Sequence, residues 1–530
     1  MTLGECLRRA AREAPDREAY LHRGERLRYA DWQALAERAA AGLVSRGAEK
    51  GDRIALVLPP RPEYAVAYLA AAKAGLVTAG VNPRLADREI AHVLADSGAR
   101  FVVTIDRFGG REIARLVESL ADDLPELGRT FVVRDAAKKW SAPDALVVER
   151  TEPFANLFAS PAADALRRLE TIENGLGADD PVAIVYTSGT TGKPKGALFA
   201  LRNLEAVSRT RGEMGTREGE RTLTGGTPFA HIGFMTKIMA HIEDRQTTVI
   251  LDAFNARTVL ETVERERITY LGGVPAQWSL MLLDPDFDRF DLSSLRAGAI
   301  GGAPFTPELV REIRRRFGVD LVTRYSCTEI ALGTGSRPDD PEELLAETVG
   351  RPSAEVELAI VDGDRRPLRA GEVGEVAVRS PAVMVGYWRR PEETAAVLDR
   401  DGWFYTADLG VIDERGYLSL RGRKKEMYIR GGYNVYPVEV EAVIGRHPDV
   451  AQVAVVGVPD RVLGEKGLAV LVPRAGRPCP SRDELRAFCA AEIADYKAPD
   501  FVAGRSELPM NAMYKVDKAR LRDDWLANQN

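Results

Sequence analysis

The sequence predicts an α/β protein: a large N-terminal domain of parallel α/β subdomains plus a β-rich subdomain, then a small C-terminal α/β domain. Three observations point there. The 530 residues exceed what one hydrophobic core usually serves. Apolar strand-like runs alternate with amphipathic helix-like stretches, the order that yields mostly parallel sheets covered by helices. After Ala370 the texture changes to short strands broken by glycine and charge.

In chain order, RIALVL from Arg53 reads as a strand, the Ala-rich stretch from Pro60 to Gly75 as a helix, and LVTAGVNP as the next strand. The same alternation recurs at Ala91–Leu94 into RFVVTI, at Val259–Arg267 into ITYLGGVP, and at Pro307–Phe317 into VDLVTRYS. GEVGEVAVRS and GVIDERGYLSL form the β-rich segment. The polar run Arg421–Glu426 lies between two strand-like stretches, as a solvated hinge requires, and divides the chain into domains 1–424 and 425–530. VAQVAVVGVP, GLAVLVP and a helix from Ser481 to Ala494 complete a C-terminal domain of ordinary size.

Charge and composition narrow the function. With Lys+Arg at 73 against Asp+Glu at 79 and a net charge of −6, the chain carries no basic footprint for nucleic acid or an anionic membrane. The stretch Tyr64–Val81 contains Lys73 and Gly75 and reads as helix then strand, not as a membrane span. The start lacks the apolar run of a secretory signal. Cys6, Cys327, Cys479 and Cys489 show neither disulfide nor metal-ligand spacing. These features predict a cytoplasmic protein.

YTSGTTGKPKGA, Tyr186 to Ala197, follows the apolar run Pro181–Val185. A Walker loop needs four residues between its first glycine and Gly-Lys, but Gly189 and Gly192 enclose two, and Pro194 follows Lys193. That spacing disfavours a P-loop kinase. The loop still offers backbone approach, the hydroxyls of Thr187, Ser188, Thr190 and Thr191, and the charge of Lys195, all suited to a polyphosphate; a surface hairpin is the rival reading.

This string resembles the signature of the adenylate-forming superfamily of acyl-CoA synthetases, luciferases and peptide-synthetase adenylation domains. Further strings resemble that family in order: AAKAGLVTAGVNP at 71–83, PFAHIGF at 228–234, GGAP at 301–304, YSCTE at 325–329, GEVAVRSPAVMVGYW at 374–388, GWFYTADLG at 402–410, and GRKKEMYIRGGYNVYPVEVE at 422–441. LPMNAMYKVDK at 508–518 resembles the final lysine loop imperfectly.

The resemblance implies an acyl-CoA ligase using ATP, Mg2+ and coenzyme A. It activates a hydrophobic carboxylic acid as acyl-AMP, then passes the acyl group to the CoA thiol. Lys515 would meet the charge that builds on the α-phosphate, Glu329 would hold magnesium, and Thr328 with Thr187, Ser188, Gly189, Thr190, Thr191 and Lys195 would contact phosphate. Tyr325, Ser326, Gly302, Ala303 and Pro304 would surround adenine, and Asp408 and Arg423 the ribose. His231 would position the carboxylate in an acyl pocket shared with Ile232, Gly233, Phe234, Val274, Pro275, Trp278, Ala299, Gly301 and Cys327. No base accompanies Cys327, so it is not read as a nucleophile. The C-terminal domain would be mobile: it would swing about Lys425 to bring Arg430, Gly431 and Gly432 against the pantetheine arm.

The lysine loop departs from the family pattern at Asn511 and Tyr514, and YSCTE at Ser326. Those departures leave open a specialist that thioesterifies preformed acyl-adenylate. Transfer to a carrier protein, a homodimer, and a non-catalytic nucleotide-binding homologue also stay open. Retention of Lys195, Glu329, Asp408 and Lys515 weighs against the last.

Overall fold

A computed structural model describes residues 1–135, 150–159, 161–187, 194–214, 217–224, 228–303, 305–490, 492–511 and 515–528. The expected alternation forms two large sheets. The first places Val77–Val81 and Phe101–Ile105 parallel to either side of Arg53–Val57, with helix Pro62–Lys73 as the crossover, and extends to Pro181–Thr187. Beyond it the sheet turns antiparallel through Lys195–Ala200 and Gly386–Tyr387. The second sheet runs Tyr270–Gly273, Ala297–Gly301 and Asp320–Tyr325 in parallel, joined through helices Pro275–Leu282 and Pro307–Phe317. Strands such as Arg53–Val57 and Phe101–Ile105 are apolar on both faces because helices cover both.

The β-rich sheet is antiparallel and begins before Ala370: Glu357–Val361, Gly374–Arg379, Phe404–Ile412 and Leu418–Arg423 pair in that order. The last strand reaches into the polar run, so Arg421–Arg423 are sheet residues and the connector is shorter than its charge pattern suggests. In the C-terminal part, Val450–Asp460 pairs with Gly464–Pro473 over its own apolar core. The helix expected over Ser481–Ala494 is Arg482–Cys489. Ser481 caps it, with Glu484 completing a capping box, and fully buried Cys489 ends its apolar stripe.

Candidate active site

The site gathers where strand ends of the two large sheets, the β-rich sheet and the C-terminal part converge. Tyr325 ends Asp320–Tyr325, and its hydroxyl donates to Asp408 Oδ2 at 2.7 Å. Arg423, register partner of Asp408 on the adjoining strand, donates through Nε to Oδ1 at 2.9 Å. Asp408 is only 6% exposed, so both oxygens are satisfied by groups that also aim them. Each oxygen retains a lone-pair direction for a further donor. Burial, then the charge of Asp408, raises the Tyr325 phenol well above its usual range and keeps it a donor.

Glu329 is fixed by a second tyrosine. Its Oε1 accepts from the Tyr387 hydroxyl at 2.8 Å, and its carbonyl accepts from Met384 N–H at 2.8 Å. Tyr387 pairs with the strand that Lys195 begins, and the Lys195 ammonium lies 5.3 Å from the Tyr387 ring centre, paired with Glu393. One aromatic side chain therefore links the lysine of the glycine-rich segment to the glutamate after Tyr325. A single carboxylate fits Mg2+, which binds through one or two carboxylates together with substrate phosphates.

His231 immediately precedes helix Ile232–Glu243 without a side-chain bond to its first turn, and its Nε2 lies 3.5 Å from Asn82 Nδ2. Burial, then the charge of Lys515, lowers its pKa to about 4, so the imidazole is neutral at physiological pH. Lys515 is itself lowered, first by the protein crowding it and then by Arg423, although water still reaches the side chain. The lysine thus shares one electrostatic neighbourhood with His231, Arg423 and Asp408. Asn511, the departure noted in sequence, closes the turn: its Oδ1 accepts Lys515 N–H at 3.1 Å and its N–H donates to Lys515 O at 2.8 Å. Cys327 is held as a neutral thiol by burial and then by Glu329.

Ser188, Gly189, Thr190, Thr191, Pro304 and Tyr514 lie outside the described residues. Thr187 ends strand Pro181–Thr187; Ser326 and Thr328 lie on the loop between Tyr325 and Glu329; Ala303 follows the Ala297–Gly301 strand. Gly233 and Phe234 line a cleft along helix Ile232–Glu243, with Ile232 partly buried beside them. Trp278 is 0% exposed; its Nε1 donates to Ala299 O at 3.2 Å and its ring meets Phe317 edge-on at 4.9 Å, so it belongs to the core behind the strand. A side chain at Gly301 would collide with the Arg324 carbonyl, so strand pairing already demands glycine there, and Gly302 takes φ +79°. Gly431 and Gly432, at φ +59° and +88°, make a two-residue hairpin turn. Its bonds run to Leu463, and those of Arg430 to Asp500 at 3.0 and 2.8 Å, inside the C-terminal sheet.

The family assignment follows from comparison of the whole chain. Residues 7–388 match the AMP-binding enzyme family, and 439–515 match the AMP-binding enzyme C-terminal domain. The chain belongs to the AMP-binding enzyme family. Among its relatives is the human "Medium-chain acyl-CoA ligase ACSF2, mitochondrial", 32% identical over 100% of this chain and 88% of that protein. A second is the Mycobacterium tuberculosis "3-[(3aS,4S,7aS)-7a-methyl-1,5-dioxo-octahydro-1H-inden-4-yl]propanoyl:CoA ligase", 35% identical over 98% of each. The solved amide bond synthetase McbA from Marinactinospora thermotolerans superposes with a TM-score of 0.84 at 29% identity, covering 99% of both chains. This member of the family is an AMP-forming acyl-CoA ligase, an enzyme that joins acid to thiol. No helix among the described residues is long and apolar enough to cross a membrane.

Proposed function

We propose that the enzyme activates a hydrophobic carboxylic acid with ATP and transfers the acyl group to coenzyme A in the cytoplasm. The observation that carries the two-step reading is the position of Lys515. The charge of this lysine from the C-terminal part is felt at His231, and it in turn feels Arg423 and Asp408, which puts a cation within electrostatic reach of the place where charge would develop as a carboxylate attacks the α-phosphate. Asp408, aimed by Tyr325 and Arg423, accepts the ribose hydroxyls. Neutral His231 orients the carboxylate without competing for its charge. Lys195 binds the outer phosphates and exchanges Glu393 for them. Bound at Glu329, Mg2+ would neutralise phosphate charge. The names of the human and mycobacterial relatives describe hydrophobic acids, which supports the substrate class.

A panel of carboxylates, scored separately for pyrophosphate release and for CoA thioester, tests this reading. Both products should form with at least one hydrophobic acid. Thioester from supplied acyl-AMP with no pyrophosphate release from any acid would replace it with the second-step specialist.

A further inference from the structure

The cleft that begins at Gly233, two residues past His231 on the same helix, is not uniformly apolar. It follows one face of helix Ile232–Glu243 through Phe234, Lys237 and His241, and its far wall is Arg211 on helix Leu201–Glu213. At 1.5 Å per residue, Lys237 stands about 9 Å along the helix from His231. Arg211 is 8% exposed, and among the described residues neither it nor Lys237 makes a side-chain hydrogen bond or ion pair. The ring Nε2 of His241, 3% exposed, and the hydroxyl of Thr224 also lack partners there.

An unpaired guanidinium that deep is costly, because burial removes its hydration and nothing replaces it. Burial, then the neighbouring charge of Arg324, lowers Arg211 to about 10; Lys237 is pushed down by the protein crowding it and then by Arg211 and Arg324, although water still reaches its side chain. Glu220 does not balance the cluster: burial raises it to about 7, and its nearest described contact is Gln246 Nε2 at 3.4 Å. Arg211, buried, and Lys237, open to water, thus line the same cleft as one carboxyl. Phe229 and Phe234 cover the stretch between this cluster and His231, so polarity is confined to the far end.

We infer that the acid substrate has an apolar middle and carries at its far end a second oxygen acceptor, a ketone or a carboxylate, received by Arg211 and Lys237. The inference rests on the ligase reading above and on that reading's placement of the acid beside His231. A pocket built to donate hydrogen bonds rejects an analogue lacking the acceptor, because the donors are then left unpaired.

The test compares kcat/KM for three acids of equal length, each long enough to span the cleft: a plain alkanoate, its ω-oxo derivative and its ω-carboxy derivative. At least one acceptor-bearing acid should exceed the alkanoate by roughly tenfold to a hundredfold. Arg211→Met and, on the water-accessible side, Lys237→Met should each pull that ratio towards one. A higher kcat/KM for the alkanoate than for both derivatives overturns the inference and leaves the ligase standing. A ratio unchanged in folded Lys237→Met also overturns it. Absence of pyrophosphate and thioester with every acid would overturn both.

Discussion

Replacing Tyr325 by phenylalanine separates two roles that its position in the adenine motif merges. The ring can pack against a base, whereas the hydroxyl holds Asp408 Oδ2 at 2.7 Å. Tyr325→Phe keeps the ring and deletes the bond. A hydrogen bond to a buried charged acceptor contributes about 1.5–3 kcal/mol. Arg423 still holds Oδ1 at 2.9 Å, so the carboxylate remains partly aimed and the lower end of that range applies. We therefore expect about 1.5 kcal/mol, read as an approximately tenfold fall in kcat/KM for ATP in a pyrophosphate-release assay. Thioester formation from supplied acyl-AMP should also weaken, since the ribose persists in that intermediate. The variant should lose a similar increment in urea unfolding, because one buried oxygen is left without its donor. If kcat/KM for ATP and unfolding free energy both stay within about 0.5 kcal/mol of wild type, the hydroxyl is not what orients Asp408.

Lys515→Ala should depress pyrophosphate release about a hundredfold to a thousandfold, with a much smaller effect on acyl-AMP and CoA; equal losses in both assays would contradict a role in the first step. Lys425→Pro fixes φ and should slow the overall reaction more than either half-reaction measured alone; unchanged turnover would remove the hinge from Lys425. Burial lowers His241 to about 3 in the folded protein against an ordinary value of 6.5, so the unfolded chain binds the extra proton and stability is lost as pH falls below 6.5. Between pH 7 and pH 5 this residue alone should cost about 2 kcal/mol, and His241→Gln should flatten the urea midpoint over that interval; an unaltered slope refutes the assignment.

Periodicity made the α/β framework legible. Arg53–Val57, Pro62–Lys73 and Val77–Val81 stand where an apolar run, an Ala-rich stretch and a second apolar run placed them. The end of the helix after Ser481 was less legible, because capping marks a start more sharply than a stop. In the site, the family resemblance pointed to Asp408, Glu329 and Lys515, but not to the groups around them. Tyr387 lies 58 positions from Glu329, and Asn82 lies 149 from His231. Such partners are chosen by strand order, which no local string encodes. Arg211 escaped for the opposite reason: on an amphipathic helix it reads as an ordinary solvated charge, and only the packing of that helix turns it inward.

The bonds on either side of Lys425 argue for where the chain turns between half-reactions. Arg423 is tied to Asp408, and Lys424 to the Ala407 carbonyl and to Glu375, all in the large part. One residue beyond, Glu426 pairs with Lys518, which also holds Glu441 at 2.8 Å in the C-terminal part. Rotation about Lys425 would leave the Lys518 cluster intact, would disturb the exposed Lys424–Glu375 pair at 3.4 Å, which contributes little, and would strain the bonds from Glu426 and Met427 N–H to the Arg423 carbonyl, 3.0 Å each. Lys515 and the Gly431–Gly432 turn ride on the same small domain, and in this arrangement it is Lys515 that stands beside His231. On the two-step reading proposed above, a thiol arm would approach the adenylate carbonyl after that lysine withdraws. On the two-step reading, the turn at Lys425 would therefore exchange the two Arg423 carbonyl bonds and one exposed ion pair for the contacts of the second arrangement, while the Lys518 cluster travels with the C-terminal part.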